Sequence, residues 1–259
     1  MIELDTEHIL YEVEETTAII TLNRPDKQNS LSTEMMYEGA KAIRAADDDE
    51  KVRTIIVTGA GDESFCAGAD LENRLPTITG DEPYEPSPFF FKNESIQTPM
   101  IVAINGYCIA GGMEFIQFTD IRIAEEGSLF GLREPRWGLI PGGGSTVRLP
   151  RQIPYCYAME YLLTGSLFDA EHAHKAGLIN DIVDEGEALA AAKDVAESIA
   201  KNSPTAINKI KESVHRGLNR GMDDSFRIET ELIREMFKTE DAVEGPKAFQ
   251  EDREPSFRP

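Results

Sequence analysis

The sequence predicts a layered α/β fold that gives way to an all-helical C-terminal region, and three observations predict it. Between Thr17 and Thr58 a β-branched run, a helical pattern and a second β-branched run follow one another. Strand, helix, strand in that order implies crossover connections and a layered core. A further apolar run, Ile101 to Ile104, has the length and branching of a buried strand. Beyond Glu187 only helical patterns remain.

Taken in order, Ile9 to Val13 and Thr17 to Leu22 read as a hairpin turning at Glu14-Glu15, and Asn23-Arg24-Pro25 breaks the second strand. Ser32 or Thr33 caps a helix that continues to Ala45-Ala46. Thr54 to Thr58 is a buried strand closed by Gly59-Ala60-Gly61, and the small-residue series from Phe65 to Leu71 (FCAGADL) lets the backbone pass close to a ligand or another segment. Residues 73–98 carry Pro76, Pro83, Pro86 and Pro88, several acids and Phe89-Phe90-Phe91, and Pro99 closes them. They read as a long loop or short helix over a pocket, where a lid belongs.

After Ile104 a turn at Asn105-Gly106 leads through Gly111-Gly112 to a short helix over Met113 to Thr119, with Glu114 in its first turn. Ile153 to Thr164 is read as one helix ended by Gly165, and Asp169-Ala170-Glu171 opens another that stops at Gly177. Leu178 to Val183 is a last strand. The final helices are Glu187 to Ala200, Ser203-Pro204 to His215, Met222 to Phe237 and Glu240 to Phe249, with proline at a favourable first-turn position in the second of these. The expected division is a core over 1–200 and a helical region over 201–259.

The 259 residues suffice for one large domain or a domain with an appendage, and a hydrophobic share of 41% is compatible with a full core. No run of about 20 apolar residues predicts a membrane span, and the acidic start is not a secretory signal. The net charge of −21 repels phosphate backbones and anionic membranes, which argues against nucleic-acid and lipid-surface roles. The acids lie in short dispersed clusters such as Asp47-Asp48-Asp49-Glu50, a pattern that suits solubility at high salt and equally an ordinary acidic cytosolic enzyme. Cys66, Cys108 and Cys156 have no metal-ligand spacing, fit a reducing cytoplasm and are expected to be small buried apolar residues. His172 and His174, two apart on a helix, face different ways and are expected at the surface.

The chemistry concentrates between Met100 and Pro150. Glu114 follows a glycine pair, and Glu134 precedes Pro141 and the run Gly142-Gly143-Gly144-Ser145. Taken singly they read as a helix-start Glu and a surface Glu. Together, paired carboxylates on small-residue scaffolding suit general acid/base work, because their environments can separate their pKa values. Competing motifs are missing: GAG at 59–61 lacks a third glycine, no Gly-Lys-Ser/Thr occurs, and Ser145 lacks a nucleophile elbow.

Four separated stretches together resemble the crotonase (enoyl-CoA hydratase/isomerase) family: ITLNRP at 20–25 with Asn29-Ser30-Leu31, then FCAGADL, then INGYCIAGGMEF, then FGLREPRWGLIPGGG. A fifth match runs from Phe237 to Asp241, with Glu244-Gly245 and Ala248-Phe249. The resemblance implies a spiral of ββα turns with two roughly perpendicular sheets and a helical C-terminal region that drives trimers, commonly paired as hexamers. It implies an acyl-CoA thioester as substrate and partner, with no metal or redox cofactor, coenzyme A being part of the substrate.

By the same resemblance, backbone N–H groups of Ala67 and Gly111 form an oxyanion hole. Glu114 and Glu134 are the two catalytic carboxylates of a hydratase, and Gly142 helps hold the water. Asn29, Ser30, Ala69, Asp70 and Leu71 fall on segments that line the CoA, and Met113, Arg133 and Trp137 shape the acyl pocket. Asp252 stands where the family often has a basic residue, so either Arg253 or Lys247 meets phosphate instead or the acidic chain tolerates weaker CoA binding screened by salt. Arg133 replaces a customary proline and is read either as solvent-exposed or salt-bridged, or as a partner for a polar or carboxylated acyl group. The alternatives to 2-enoyl-CoA hydration are an enoyl-CoA isomerase, a carnitinyl-type dehydratase of functionalised acyl-CoA, and a non-catalytic or RNA-binding member. Two glutamates favour hydration over isomerisation, and the acidic charge disfavours RNA.

Overall fold

The computed structural model describes residues 2–72, 76, 79–80, 83 and 85–257. Strands β1 (Ile9–Glu14) and β2 (Thr17–Leu22) form the expected antiparallel hairpin, with Glu15 at φ 52 in the turn. Helix α1 (Thr33–Asp48) starts where Ser32 accepts the Met35 N–H at 3.1 Å, and returns the chain to β3 (Thr54–Gly59). From there the chain steps between two sheets, each time leaving a long strand for a short one: β3 to β4 (Ser64–Cys66), β5 (Met100–Ile104) to β6 (Tyr107–Ile109), β7 (Ile121–Glu125) to β8 (Leu129–Gly131). Helix α2 (Gly111–Ile116) follows β6. This is the strand-strand-helix repeat that the family resemblance implies.

Next come α3 (Ser145–Gln152), α4 (Tyr155–Thr164), β9 (Phe168–Asp169), α5 (Ala170–Lys175) and β10 (Asp181–Val183). The large sheet has the order β1-β2-β3-β5-β7-β10, parallel after the first pair, and the small sheet runs β4-β6-β8-β9. Central strands covered on both faces explain the unbroken apolar runs of β3 and β5. Alternate side chains go to different layers: Ile55, Val57, Met100, Val102 and Ile104 enter the main core. Ile56, Ile101, Ala103 and Ile123 meet Ala188, Ala192 and Ala196 of α6 (Ala188–Ala200). The period of two thus separates the faces, and the alanine stripe lets the helix lie close on the sheet.

Helices α7 (Pro204–Gly217), α8 (Met222–Met236) and α9 (Asp241–Gln250) complete the chain. Lys211, almost fully buried, docks α7 by donating to the Thr98 carbonyl at 2.9 Å and to Asp120 at 2.6 Å. No described helix is long and apolar enough to cross a membrane.

Several expectations are corrected. The helix read from Ile153 onward is preceded by α3, hidden from pattern reading by three glycines before it and Pro150 within it. Cys66 and Cys108 are buried, but Cys156 is exposed. His172 is half-buried rather than fully at the surface, and its ring packs against Tyr157, Tyr161 and Phe168. Of residues 73–98, the expected lid lies in part outside the described residues; Phe89, Phe90 and Phe91 are buried, with Phe89 stacked on Phe115 at 4.4 Å.

Candidate active site

Two main-chain amides define one wall. Gly111 is the first residue of α2, so its N–H has no partner inside the helix. The second donor comes from the loop after β4. Leu31 and Ala69 form a parallel bridge in which the Leu31 N–H donates to Gly68 O at 2.7 Å and the Asp70 N–H to Leu31 O at 2.9 Å. In such a bridge Ala69 turns its own N–H to the opposite side. Among the described residues neither the Ala69 nor the Gly111 N–H has a hydrogen-bond partner. They adjoin: a methyl placed on Gly111 would lie 3.4 Å from Ala69 N.

The expected donor Ala67 is corrected here. Its N–H donates to Gln28 O at 3.0 Å and is not available to a substrate oxygen. The close packing follows from small residues. Gly68 (φ +101) leaves 2.8 Å between a hypothetical Cβ and the Ala110 methyl, and a Cβ on Gly112 would lie 2.4 Å from Cys66 O.

The two carboxylates face different surroundings. Glu114 is buried in α2 and its Oε1 accepts the N–H groups of Gly143 at 2.7 Å and Ser145 at 3.3 Å. Burial raises its pKa, and the amides of Ser145, Gly143 and Gly144 together with the charge of Lys92 oppose that rise. Glu134 opens the 3-10 turn Glu134–Trp137, and its buried Oε2 has no hydrogen-bond partner among the described residues. Burial pushes Glu134 up to about 7, its own N–H offsets part of this, and the Glu114 charge adds to the rise. The two acids thus differ in their surroundings, Glu114 well supplied with donors and Glu134 not, and the Glu114 charge is felt at Glu134.

The fold repeats known proteins closely. The family model for enoyl-CoA hydratase/isomerase matches residues 12–259. The chain belongs to the enoyl-CoA hydratase/isomerase family. Among similar proteins, the enoyl-CoA hydratase EchA19 of Mycobacterium tuberculosis is 42% identical, the match covering 93% of each chain. The short-chain-enoyl-CoA hydratase of Clostridium acetobutylicum is 33% identical over 96% of this chain and 97% of that one. The crystal structure of an enoyl-CoA hydratase from M. tuberculosis H37Rv superposes with a TM-score of 0.90 at 35% identity, covering 98% of this chain and 99% of the other.

Within this enoyl-CoA hydratase/isomerase chain the remaining expected site residues separate. Asn29 was expected along the CoA, but its side chain is fully buried and structural: it accepts the Arg24 N–H at 2.8 Å and donates to Ala60 O at 2.9 Å and Ser64 O at 2.6 Å. Ser30 and Asp70 are half-buried and joined through Arg24, which reaches Ser30 O at 3.2 Å and Asp70 at 2.8 Å. Leu71 is exposed. Of the expected acyl-pocket trio, Met113 belongs to the main core, Arg133 is half-buried with a buried Nε that has no partner among the described residues, and Trp137 is 71% exposed rather than enclosed.

Arg253 is committed elsewhere, with both ends of its fork on Glu244 at 2.6 and 3.0 Å, while Lys247 is exposed. Sequence reasoning singled out Gly142 and missed Gly143 and Ser145, whose amides hold Glu114. The run GGGS contained the signal, but which amide points inward depends on the start of α3.

Proposed function

We propose that this chain is an enoyl-CoA hydratase, adding water reversibly across the 2,3 double bond of a 2-enoyl-CoA thioester. The reading is supported by two unlike carboxylates, Glu114 buried and Glu134 half-buried, and by the adjoining Ala69 and Gly111 amides, which have no hydrogen-bond partner among the described residues. The thioester oxygen accepts from Ala69 and Gly111, whose helix end adds positive potential. Glu114, ionised, takes a proton from water as the water oxygen bonds to C3. The double-bond electrons move onto the thioester oxygen as an enolate, and Glu134, protonated, delivers its proton to C2. Gly142 borders the Gly143 loop and is proposed to help seat the water. The negative charge is met by main-chain donors, so no metal or redox cofactor is required by this scheme.

Ser30, Ala69, Asp70 and Leu71 border the CoA entrance in this reading, with Lys247 as the remaining candidate for a phosphate. Residues 1–200 form the catalytic core and 201–259 the oligomerisation region, assembling a homotrimer or a hexamer. The exposed Phe226, Phe237 and Phe249 support an assembled state. A cytoplasmic location fits three free thiols. A second reading, hydration of a polar or carboxylated acyl-CoA, is favoured by the buried Nε of Arg133, which has no partner among the described residues.

The test is loss of the 2-enoyl-CoA absorbance over a panel of acyl lengths and polarities. Turnover of straight-chain substrates supports the first reading, and turnover confined to carboxylated ones the second. No turnover across the panel overturns both.

A further inference from the structure

We infer that Arg148 is a positioning residue for Glu114, holding the Gly143 loop from behind and serving as the counter-charge that keeps this carboxylate a base. The inference rests on the hydratase reading and adds a residue to it. Arg148 lies in the first half of α3, and its guanidinium donates to three main-chain carbonyls. Nη2 reaches Phe90 O at 2.7 Å and Phe91 O at 3.0 Å, and Nη1 reaches Gly143 O at 3.4 Å. Its planar group lies 5.2 Å from the centre of the Phe118 ring, which stacks on Phe91 at 4.8 Å.

Gly143 is therefore gripped from two sides. Its N–H donates to Glu114 and its C=O accepts from Arg148. A carboxylate, a peptide segment and a guanidinium form one polarised chain. The space is fitted: a methyl on Gly143 would lie 2.8 Å from the Phe90 ring and 2.9 Å from the Glu114 carboxyl, and one on Gly144 (φ +125) 3.2 Å from Arg148 Nη1. The glycine run thus lets the arginine close on the loop.

The charges support the same assignment. A guanidinium largely withdrawn from water is costly without an anion nearby. Burial lowers the Arg148 pKa, and the charge of Glu114 is what raises it again. The charged groups facing Glu114 are Lys92 after the Phe89–Phe91 segment, Glu134 on the 3-10 turn and Arg148 on α3. Arg122 on β7 faces Arg148 from the other side, as a like charge. The amides of Ser145 and Gly143 favour the ionised form of Glu114 most, and the nearby cations add to them.

The experiment compares kcat and kcat/KM for crotonyl-CoA hydration between pH 5 and 9 (roughly the span in which the pair titrates) in wild type, Arg148→Lys and Arg148→Gln. The acid limb reports the base, since kcat falls when Glu114 is protonated. With the counter-charge gone, Arg148→Gln is expected to lose at least about tenfold in kcat and to move the acid limb up by about one pH unit. Arg148→Lys is expected to lose kcat with the limb in place. A purely structural arginine would lower kcat in both variants and leave both limbs where they are, and that result overturns the proposal.

A second measurement needs no Arg148 variant to fold: carboxyl ¹³C NMR of wild-type protein, with Glu114→Gln and Glu134→Gln for assignment. Glu114 must stay ionised to lower pH than Glu134; the reverse order overturns the proposal. This arm reads out without turnover, so failure of the hydratase reading and failure of the Arg148 role give different results.

Discussion

The two walls of the site are built differently. On the side of Cys66 to Leu71 and Gly111 to Glu114 the backbone is packed so tightly that a methyl at Gly68 or Gly112 meets atoms at 2.8 or 2.4 Å. On the other side, Glu134 to Ile140, a methyl at Gly138 meets nothing within 4 Å, and Trp137 and Ile140 stand exposed. The first wall uses main-chain donors, so its demands fall on small residues and backbone angles. The second carries Glu134, the proposed acid, on an open segment whose other side chains stand largely exposed. In the proposed scheme both walls supply chemistry, and selectivity falls to the open one, where side chains have room to vary.

The largest effect that would break this contrast is loss of a carboxylate. Glu114→Gln and Glu134→Gln are each expected to cut kcat by about 10²–10⁴-fold while acyl-CoA binding is retained. Near-full turnover in either variant would remove that acid from the scheme. Next comes a methyl on each wall. Gly112→Ala pushes α2 from Cys66 and displaces the Gly111 donor, so kcat should fall by up to about 10²-fold, as misplacement on the order of 1 Å does. Gly138→Ala at φ +70 should cost about 1 kcal/mol of stability and leave kcat unchanged. Equal kinetic losses would show that the walls are equally constrained.

A smaller effect concerns pH. Glu134 has a raised pKa in the folded state, about 7 against an ordinary 4.5. Between these values the native state binds more protons than the unfolded one, so stability falls as pH rises through the window and is level above it. Glu134→Gln should flatten that slope in chemical denaturation, and turnover of the parent enzyme should decline above about pH 7. The smallest is Trp137→Ala, expected to change unfolding free energy by less than about 0.5 kcal/mol. A larger loss that depends on protein concentration would show the indole covered in the assembled protein.

How far the sequence reveals all this depends on range. Hairpin, α1, the parallel strands β3 and β5 and the last four helices were legible, whereas β7 was not read; periodicity and capping are local, and Ser32 and Ser203 cap the helices expected to start there. The short strands β4 and β8 were not legible, because three residues carry no period. Glu114 and Glu134 could be picked out as charges among glycines. The amide that faces the substrate could not, because Ala67 and Ala69 look alike in sequence. Only the Leu31–Ala69 bridge determines which alanine turns its N–H inward. Asn29 misled for a related reason: at φ 53 it matches a ligand-lining turn, while its side chain closes a hydrogen-bond set inside the protein.

Ala110 carries a consequence for anyone redesigning this enzyme. It holds φ 49 and ψ −118, a conformation in which glycine would be more comfortable, immediately before the Gly111 donor. Its methyl also occupies the space that Gly68 leaves open. Exchanging Ala110 for glycine would relieve torsional strain and open a void beside Gly68. Strain relief and the void act on stability in opposite directions, so positions 68 and 110 are best varied as a pair.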